Sequence, residues 1–283
     1  MSRFVSPAKA SRHLHQRYGP AALVTGASDG IGRAFAVALA QARFDLVLVA
    51  RREAKLAALA DELRAQHHVD VQVVSADLSD AADVRQVIEA TVARDIGLLV
   101  AAAGFGTSGP FVDGDLETEL NMIDVNCRAL TQFTHAFARR FVARGRGGIV
   151  LMSSLVAFQG VPRAANYAAT KAFVQSLAEG LNLELRPHGV DVLASAPGPV
   201  LSGFGARAGM RITSGGTPED VAAGSLRALG RKGTVRPGFL AKALEAALKP
   251  LPRASRVRMM GKIMAGMTRQ PQETPVQLKE AGP

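Results

Sequence analysis

Ala21-Ala22-Leu23-Val24-Thr25-Gly26-Ala27-Ser28-Asp29-Gly30-Ile31-Gly32 passes without a break from an apolar strand pattern, through a glycine-rich turn, into a helical pattern. Gly26 at the turn lets the chain reverse sharply, while Gly30 and Gly32 let a phosphate and the sheet approach the backbone. The free N–H groups of the helix that follows face any anion held there. The spacing is G-x-x-x-G-x-G rather than G-x-G-x-x-G, and a tight strand-to-helix turn would use the same residues. Placement at the first strand–helix junction of the chain is what favours a dinucleotide site.

Outward from this turn, short apolar runs alternate with helical periodicity. Ala21–Gly26, Asp45–Arg51, Val71–Asp77, Leu98–Gly104, Gly148–Ser154 and Val190–Pro197 read as six buried strands. Their Val/Leu/Ile/Ala content without strict alternation suits parallel strands covered on both faces. Ile31–Ala42, Glu53–Gln66, Ala81–Arg94, Glu117–Arg144 and Ala164–Arg186 read as the helices between them. The repeated order predicts an α/β fold, a Rossmann-like doubly wound parallel sheet with helices on both faces. After the sixth strand, Pro197–Thr217 is rich in glycine and too irregular for a core element, as a lid beside a crevice would be. Pro218–Arg231 reads as a helix with Thr217 as N-cap and Pro218 at the first position. Phe239–Leu251 and Arg253–Met267 are two further amphipathic helices, and Gln270–Pro283 reads as a frayed tail. The expected organisation is a basic leader at 1–20, a catalytic unit at 21–231 with a lid at about 199–217, and a helical extension and tail at 232–283.

With 48% hydrophobic and 20% charged residues in 283, the chain can bury a sizeable core and is not disordered. One cysteine excludes a disulfide framework and points to a reducing compartment, the cytoplasm. No apolar run reaches the ~18 residues of a membrane span. The net charge of +10 is unevenly spread: +4 in Met1–Pro20, −3 in Ala21–Pro199, +10 in Val200–Gln270 and −1 beyond. Aromatic residues are only 5%, tryptophan is absent and no nucleic-acid-binding pattern occurs, so no nucleic-acid partner is expected. The leader lacks a secretory apolar core, leaving a weak organellar-transit reading. The six histidines show no metal spacing, His67-His68 read as a solvated pair at a helix end, and no metal is expected.

The end of the second strand helps to select the dinucleotide. NAD-preferring folds place Asp or Glu there for the ribose 2′-hydroxyl, whereas this strand ends in Arg51-Arg52. Two guanidiniums suit a 2′-phosphate, and as mere solvated charges they would oppose the dipole of the helix they open. NADP(H) is therefore the expected cofactor, with NAD(H) as the alternative, although Asp29 puts a negative charge nearby. Asp77, ending the third strand, would accept from the adenine amino group or cap the next helix.

Tyr167 and Lys171 stand four apart on one helix face. A phenol with pKa near ~10 is a poor acid at neutral pH, and a neighbouring ammonium would lower it. Ser154 ends the fifth strand, at the carboxyl edge where open α/β sheets hold ligands. Strand alternation lets only one of Ser153 and Ser154 face Tyr167. Cys127 reads as a packed apolar residue.

Thr25-Gly26-x-x-x-Gly30-x-Gly32, Ala101-Ala102-Ala103-Gly104, Asn126, Ser154, Tyr167-x-x-x-Lys171 and Pro197-Gly198, in this order over about Ala21–Arg231, resemble the short-chain dehydrogenase/reductase family. The resemblance implies that Tyr167 is the general acid/base and that Ser154 polarises the substrate carbonyl. It implies that Lys171 binds the nicotinamide ribose and lowers the tyrosine pKa, and that Asn126 supports a water-linked proton relay. Ala101 departs from the family's usual Asn, a loss of bracing rather than of chemistry. The cofactor set implied is Gly26, Ser28, Asp29, Gly30, Ile31 and Gly32 at the turn, Arg51, Arg52, Asp77 and Leu78 beside it, Ala103 and Gly104, Tyr167 and Lys171, and Pro197, Gly198 and Val200. Hydride transfer between NADP(H) and a carbonyl or secondary alcohol is the implied reaction, in a homodimer or homotetramer. A non-enzymatic NADP sensor or scaffold is the alternative, which retention of both Tyr167 and Lys171 disfavours.

Leu155, Val156, Phe158 and Val161 after the fifth strand, with Phe204 and Met210 from the lid, form an expected apolar pocket wall with only Arg163, Arg207 or Arg211 as carboxylate clamps. One stripe, Phe239, Leu240, Ala243, Leu244, Ala247, Leu248 and Leu251, and a second, Val257, Met260, Met264 and Met267, would pack on the body or another subunit. The basic residues beside them, Arg253, Arg256, Arg258 and Lys262, suggest peripheral contact with an anionic membrane as the other reading.

Overall fold

The computed structural model describes residues 7–268; the expected tail from Gln270 and the first six residues of the leader lie outside them. Seven parallel strands form one sheet in the order β3-β2-β1-β4-β5-β6-β7. They are β1 Ala21–Thr25, β2 Asp45–Ala50, β3 Val71–Ser75, β4 Ile96–Ala101, β5 Gly147–Met152, β6 Val190–Ser195 and β7 Thr234–Val235. Successive side chains of each strand alternate between two buried layers. Ala22, Val24, Leu46 and Leu48 join Phe35, Leu39, Leu56 and Leu63 on one face. Leu23, Val47 and Val49 join Phe133, Phe137, Phe141 and Val174 on the other. Covering both faces removes any need for a polar alternate position, which is why the strands read as continuous apolar runs.

The helices are α1 Pro7–Tyr18, α2 Gly30–Gln41, α3 Glu53–His67, α4 Ala81–Ala90, α5 Leu116–Ile123, α6 Leu130–Arg144, α7 Ala165–Leu185, α8 Gly203–Arg207, α9 Pro218–Ala228, α10 Phe239–Leu248 and α11 Arg253–Met267. Their starts follow the side-chain capping chemistry of the sequence. Asp29 accepts from Gly30 N at α2, Asp80 from Ala82 N at α4, Asp115 from Thr118 N at α5 and Thr217 from Asp220 N at α9. His68 closes α3 in the left-handed conformation, φ 53°.

Four expectations change. The leader is helical from Pro7, and its Leu14 and Tyr18 enter the core, with the Tyr18 hydroxyl donating to Asp191 at 2.7 Å and Arg17 bridging the same carboxylate at 2.7 Å. The helix expected over Glu117–Arg144 is split by a π-helical turn at Asp124–Ala129, which places one extra residue where Asn126 sits. A seventh strand of two residues extends the sheet beyond β6. Pro197–Thr217 is structured: Val200 pairs with Gly216 to close it, and it carries α8.

Candidate active site

The sheet order reverses between β1 and β4, and the crevice at their carboxyl ends is where this fold holds ligands. A cavity of about 520 Å³ opens there. One end is walled by Gly26, Ser28–Gly32, Arg51, Arg52, Asp77 and Leu78, and the middle by Ala103, Gly104, Ser153, Ser154, Tyr167 and Lys171. Pro197, Gly198 and Val200 complete the middle.

At the glycine turn the backbone itself is the surface. Gly26 has φ +69°, and a side chain at Gly32 would run into the Gly26 carbonyl. Among the described residues the amides of Ile31 and Gly32 have no protein acceptor, as expected of the first turn of α2. A Cβ at Gly104 would lie 2.8 Å from Asn126 Oδ1 and 3.3 Å from Lys171 Nζ. Bare backbone, free helix N–H groups and two arginines fit a dinucleotide and its phosphates. Arg51 approaches Asp77 at 3.7 Å, while Arg52 approaches Asp29 at 3.4 Å and donates to Ser28 Oγ at 3.0 Å. Partial burial opposes ionisation of Asp77, but the Ser79 amide and hydroxyl, with Arg51, hold its carboxyl below the usual range. Asp77 therefore makes a local turn with Ser79, and the cap of α4 falls to Asp80.

At the other end, Tyr167 and Lys171 project from α7 and Ser154 from the end of β5, all buried. Ser154 Oγ accepts from Val156 N at 3.4 Å, whereas the Ser153 hydroxyl donates to the Lys171 carbonyl at 3.2 Å, so the two adjacent serines make different contacts. Lys171 Nζ donates to the Met152 carbonyl at 2.8 Å and lies 5.8 Å from the Tyr167 ring centroid. Asn126 is fully buried: its Oδ1 accepts from Phe105 N at 3.1 Å, and its Nδ2 donates to Phe105 O at 2.9 Å and to Thr170 Oγ1 at 3.0 Å. The side chain thus ties the loop after β4 to α7.

The electrostatics depart from the expectation that Lys171 lowers the tyrosine pKa. Burial pushes the Tyr167 phenol up to about 12, against a smaller downward pull from the Ser154 side chain. Burial also lowers the Lys171 ammonium to about 8. Desolvation sets both shifts, and Lys171 Nζ is directed to the Met152 carbonyl. Tyr167 is a neutral phenol at neutral pH, which is the form that can give a proton. Burial raises the Cys127 thiol, consistent with a packed rather than reactive cysteine.

The apolar part of the cavity differs from its expected outline. Leu155, Val156, Phe204 and Met210 line it as anticipated. Phe158 instead lies under Arg236, 4.2 Å from its guanidinium carbon, and Val161 is buried in the packing behind the site. Arg163 lines a separate crevice, leaving Arg207 as the lid arginine at the cavity. Leu244, Met260, Ile263, Met264 and Met267 add a wall that comes from α10 and α11. Ala243 and Ala247 of the first expected stripe are exposed. Leu244 of the first stripe and Met260, Met264 and Met267 of the second turn to the cavity, the side chains of Phe239 and Leu240 lie outside the described residues, and the structure gives no support to a membrane contact. No helix among the described residues is long and apolar enough to cross a membrane.

Comparison with known proteins agrees with this geometry. A family model described as short chain dehydrogenase matches residues 20–210. A 7beta-hydroxysteroid dehydrogenase of Collinsella aerofaciens is 33% identical over 67% of this chain and 72% of its own. A very-long-chain 3-oxoacyl-CoA reductase of Podospora anserina is 38% identical over 62% of this chain and 53% of its own. A short-chain dehydrogenase from Sphingobium yanoikuyae, solved in complex with NADPH, is 36% identical and superposes with a TM-score of 0.74 over 82% of this chain and 94% of that one. The chain belongs to the short-chain dehydrogenase/reductase family. It is an oxidoreductase acting on CH–OH donors with a nicotinamide cofactor.

Proposed function

We propose that the protein is an NADP(H)-preferring oxidoreductase that interconverts a carbonyl and a secondary alcohol on a largely apolar substrate. The observation that carries this reading is the joining, in one cavity, of the Ser154–Tyr167–Lys171 group with a glycine turn flanked by Arg51 and Arg52. The nicotinamide, when bound, supplies or accepts the hydride. Gly26, Ile31 and Gly32 would cradle its phosphates through backbone N–H groups, with Asp77, Leu78, Ala103, Gly104, Pro197, Gly198 and Val200 completing the binding surface. Arg51 and Arg52 would meet a 2′-phosphate, for which a guanidinium fork is suited.

In the reducing direction Ser154 Oγ hydrogen-bonds the substrate carbonyl oxygen, and Tyr167 Oη transfers its proton to that oxygen as negative charge grows on it. The resulting tyrosinate is stabilised by Ser154 and by the charged Lys171. Asn126 positions the loop that brings Gly104 and Phe105 to the site. The relatives named for 7beta-hydroxysteroid and very-long-chain 3-oxoacyl-CoA chemistry act on molecules with large apolar bodies, a class that suits walls built of Val156, Phe204, Met210, Leu244, Met260 and Met264. The protein would work in the cytoplasm as a homodimer or homotetramer.

Screening NADPH oxidation over apolar ketones and aldehydes tests the reading. Tyr167→Phe should bind NADPH with unchanged affinity and lose at least 100-fold in turnover, in the range of a lost general acid, ~10²–10⁴; retained turnover removes Tyr167 from the reaction. Reversing charge at Arg51 and Arg52 should weaken NADPH at least tenfold more than NADH, and equal weakening sinks the 2′-phosphate assignment.

A further inference from the structure

The lid touches the glycine turn through charge. Asp29 caps α2 with Oδ1, which accepts from Gly30 N at 2.8 Å. Its Oδ2 lies 3.4 Å from Arg52 Nη2 and 3.9 Å from Nη2 of Arg207, the last residue of α8. The lid backbone rests on the same oxygen, since a Cβ at Gly203 would lie 2.6 Å from it. Two guanidiniums and the positive end of a twelve-residue helix therefore converge on one carboxylate. Asp29, Arg52 and Arg207 are each between a third and a half exposed, at 35%, 40% and 48%. The other carboxylate lining this end, Asp77, is engaged by Ser79 and Arg51. The cluster holds more positive charge than Asp29 can balance, and it is open to the cavity in which the phosphates of a dinucleotide belong.

We propose that Arg207 is a cofactor-phosphate ligand carried by the lid, and that Asp29 stands in for the phosphate, holding Arg207 and Arg52 at the turn until the dinucleotide replaces it. The inference rests on the NADP(H) reading above. It gives Asp29, whose charge opposes an anionic cofactor, a reason to be there: a half-exposed carboxylate orders two arginines yet yields them to a group of higher charge. It also ties cofactor binding to the substrate wall. Phe204 begins the turn that ends at Arg207, and its ring packs on Tyr167 at 5.5 Å between centroids. A phosphate that holds Arg207 also holds Phe204 against Tyr167.

Fluorescence titration of NADPH and of NADH on the full chain tests this without turnover. Arg207→Gln should raise the Kd for NADPH about tenfold, the loss of roughly one charge-assisted hydrogen bond. Equal weakening of NADH would assign Arg207 to the pyrophosphate, and weakening of NADPH alone would assign it to the 2′-phosphate; either supports the proposal. Arg207→Lys should lie between, keeping charge but losing the fork. Asp29→Asn should tighten NADPH severalfold, and more so at low salt. An Arg207→Gln Kd within twofold of wild type for both cofactors overturns the proposal, as does weaker NADPH binding by Asp29→Asn, which would make Asp29 a cofactor acceptor instead. Wild-type protein that binds neither cofactor would defeat the NADP(H) reading itself, a result separable from both of these.

Discussion

Among the described residues Lys171 has no carboxylate partner; its ammonium leans on the Met152 carbonyl inside a buried site. Burial lowers it to about 8 from the ordinary value near 10.5. The unfolded chain therefore binds more protons than the folded one between those values, and folding stability rises with pH across that window. Cofactor-free protein should gain stability between pH 8 and 10 in urea titrations, and Lys171→Met should abolish that gain; an unchanged slope would mean Lys171 is not the group responsible. Tyr167 acts with the opposite sign. Its phenol is raised to about 12 from 10, so its contribution is complete below pH 10 and is lost as pH rises from 10 through 12. Two groups one helical turn apart thus limit the stable range from opposite sides, and the pairing expected from their spacing is overridden by desolvation, a term that spacing does not carry.

Among the elements, those with a local cause were legible in sequence. The glycine turn, the i, i+4 pair on α7, the Thr217–Pro218 start of α9 and the six longer strands each follow from residues within one or two turns of chain. β7 was not legible, because Thr234–Val235 has too few residues for any period and becomes a strand only by pairing with Ala194 and Ser195. The π-turn at Asp124–Ala129 was hidden because one inserted residue barely disturbs helical periodicity, yet it sets where Asn126 points. For α11 the apolar stripe was visible and its partner was not: the spacing of apolar residues says which face is buried, not against what. Met260 and Met264 are 6% and 4% exposed and face the cavity, where their unbranched side chains can adapt to different substrates. Met264→Ala should cost about 2 kcal/mol or more in stability. It should also raise KM severalfold for apolar ketones while leaving NADPH affinity unchanged; a KM that does not move would detach α11 from substrate binding.

Taken as a whole, the molecule separates its charge from its catalytic frame. The −3 of Ala21–Pro199 belongs to the first six strands and their helices, while the +10 of Val200–Gln270 runs through the lid, α9, β7 and the two helices α10 and α11 that cover the cavity. An anionic dinucleotide would be drawn toward this cover, and its association rate should fall with added salt. A second feature of the surface is apolar. Leu116, Leu120 and Ile123 are 63%, 45% and 40% exposed at i, i+4 and i+7 on α5, and Phe173 on α7 is exposed as well. A stripe of this kind on a packed helix suits the proposed contact with a second copy. Leu120→Glu with Ile123→Lys should give a monomer by light scattering if the contact lies there, and an unchanged mass would place it elsewhere.

The lid and the last described helix are joined by backbone. Met210 pairs with Thr268, and Arg211 N donates to Met267 O at 2.8 Å. Access to the cavity is then a property of two segments rather than one, because a lid that swings out must either break this bridge or carry the end of α11 with it. Exchange of the Arg211 amide with deuterium would time that event, and slower exchange in the presence of NADPH would register the grip of the lid. Anything that restrains the chain just past Thr268, whether a fused tag, a cross-link or a bound partner, would throttle substrate entry from a point outside the cavity.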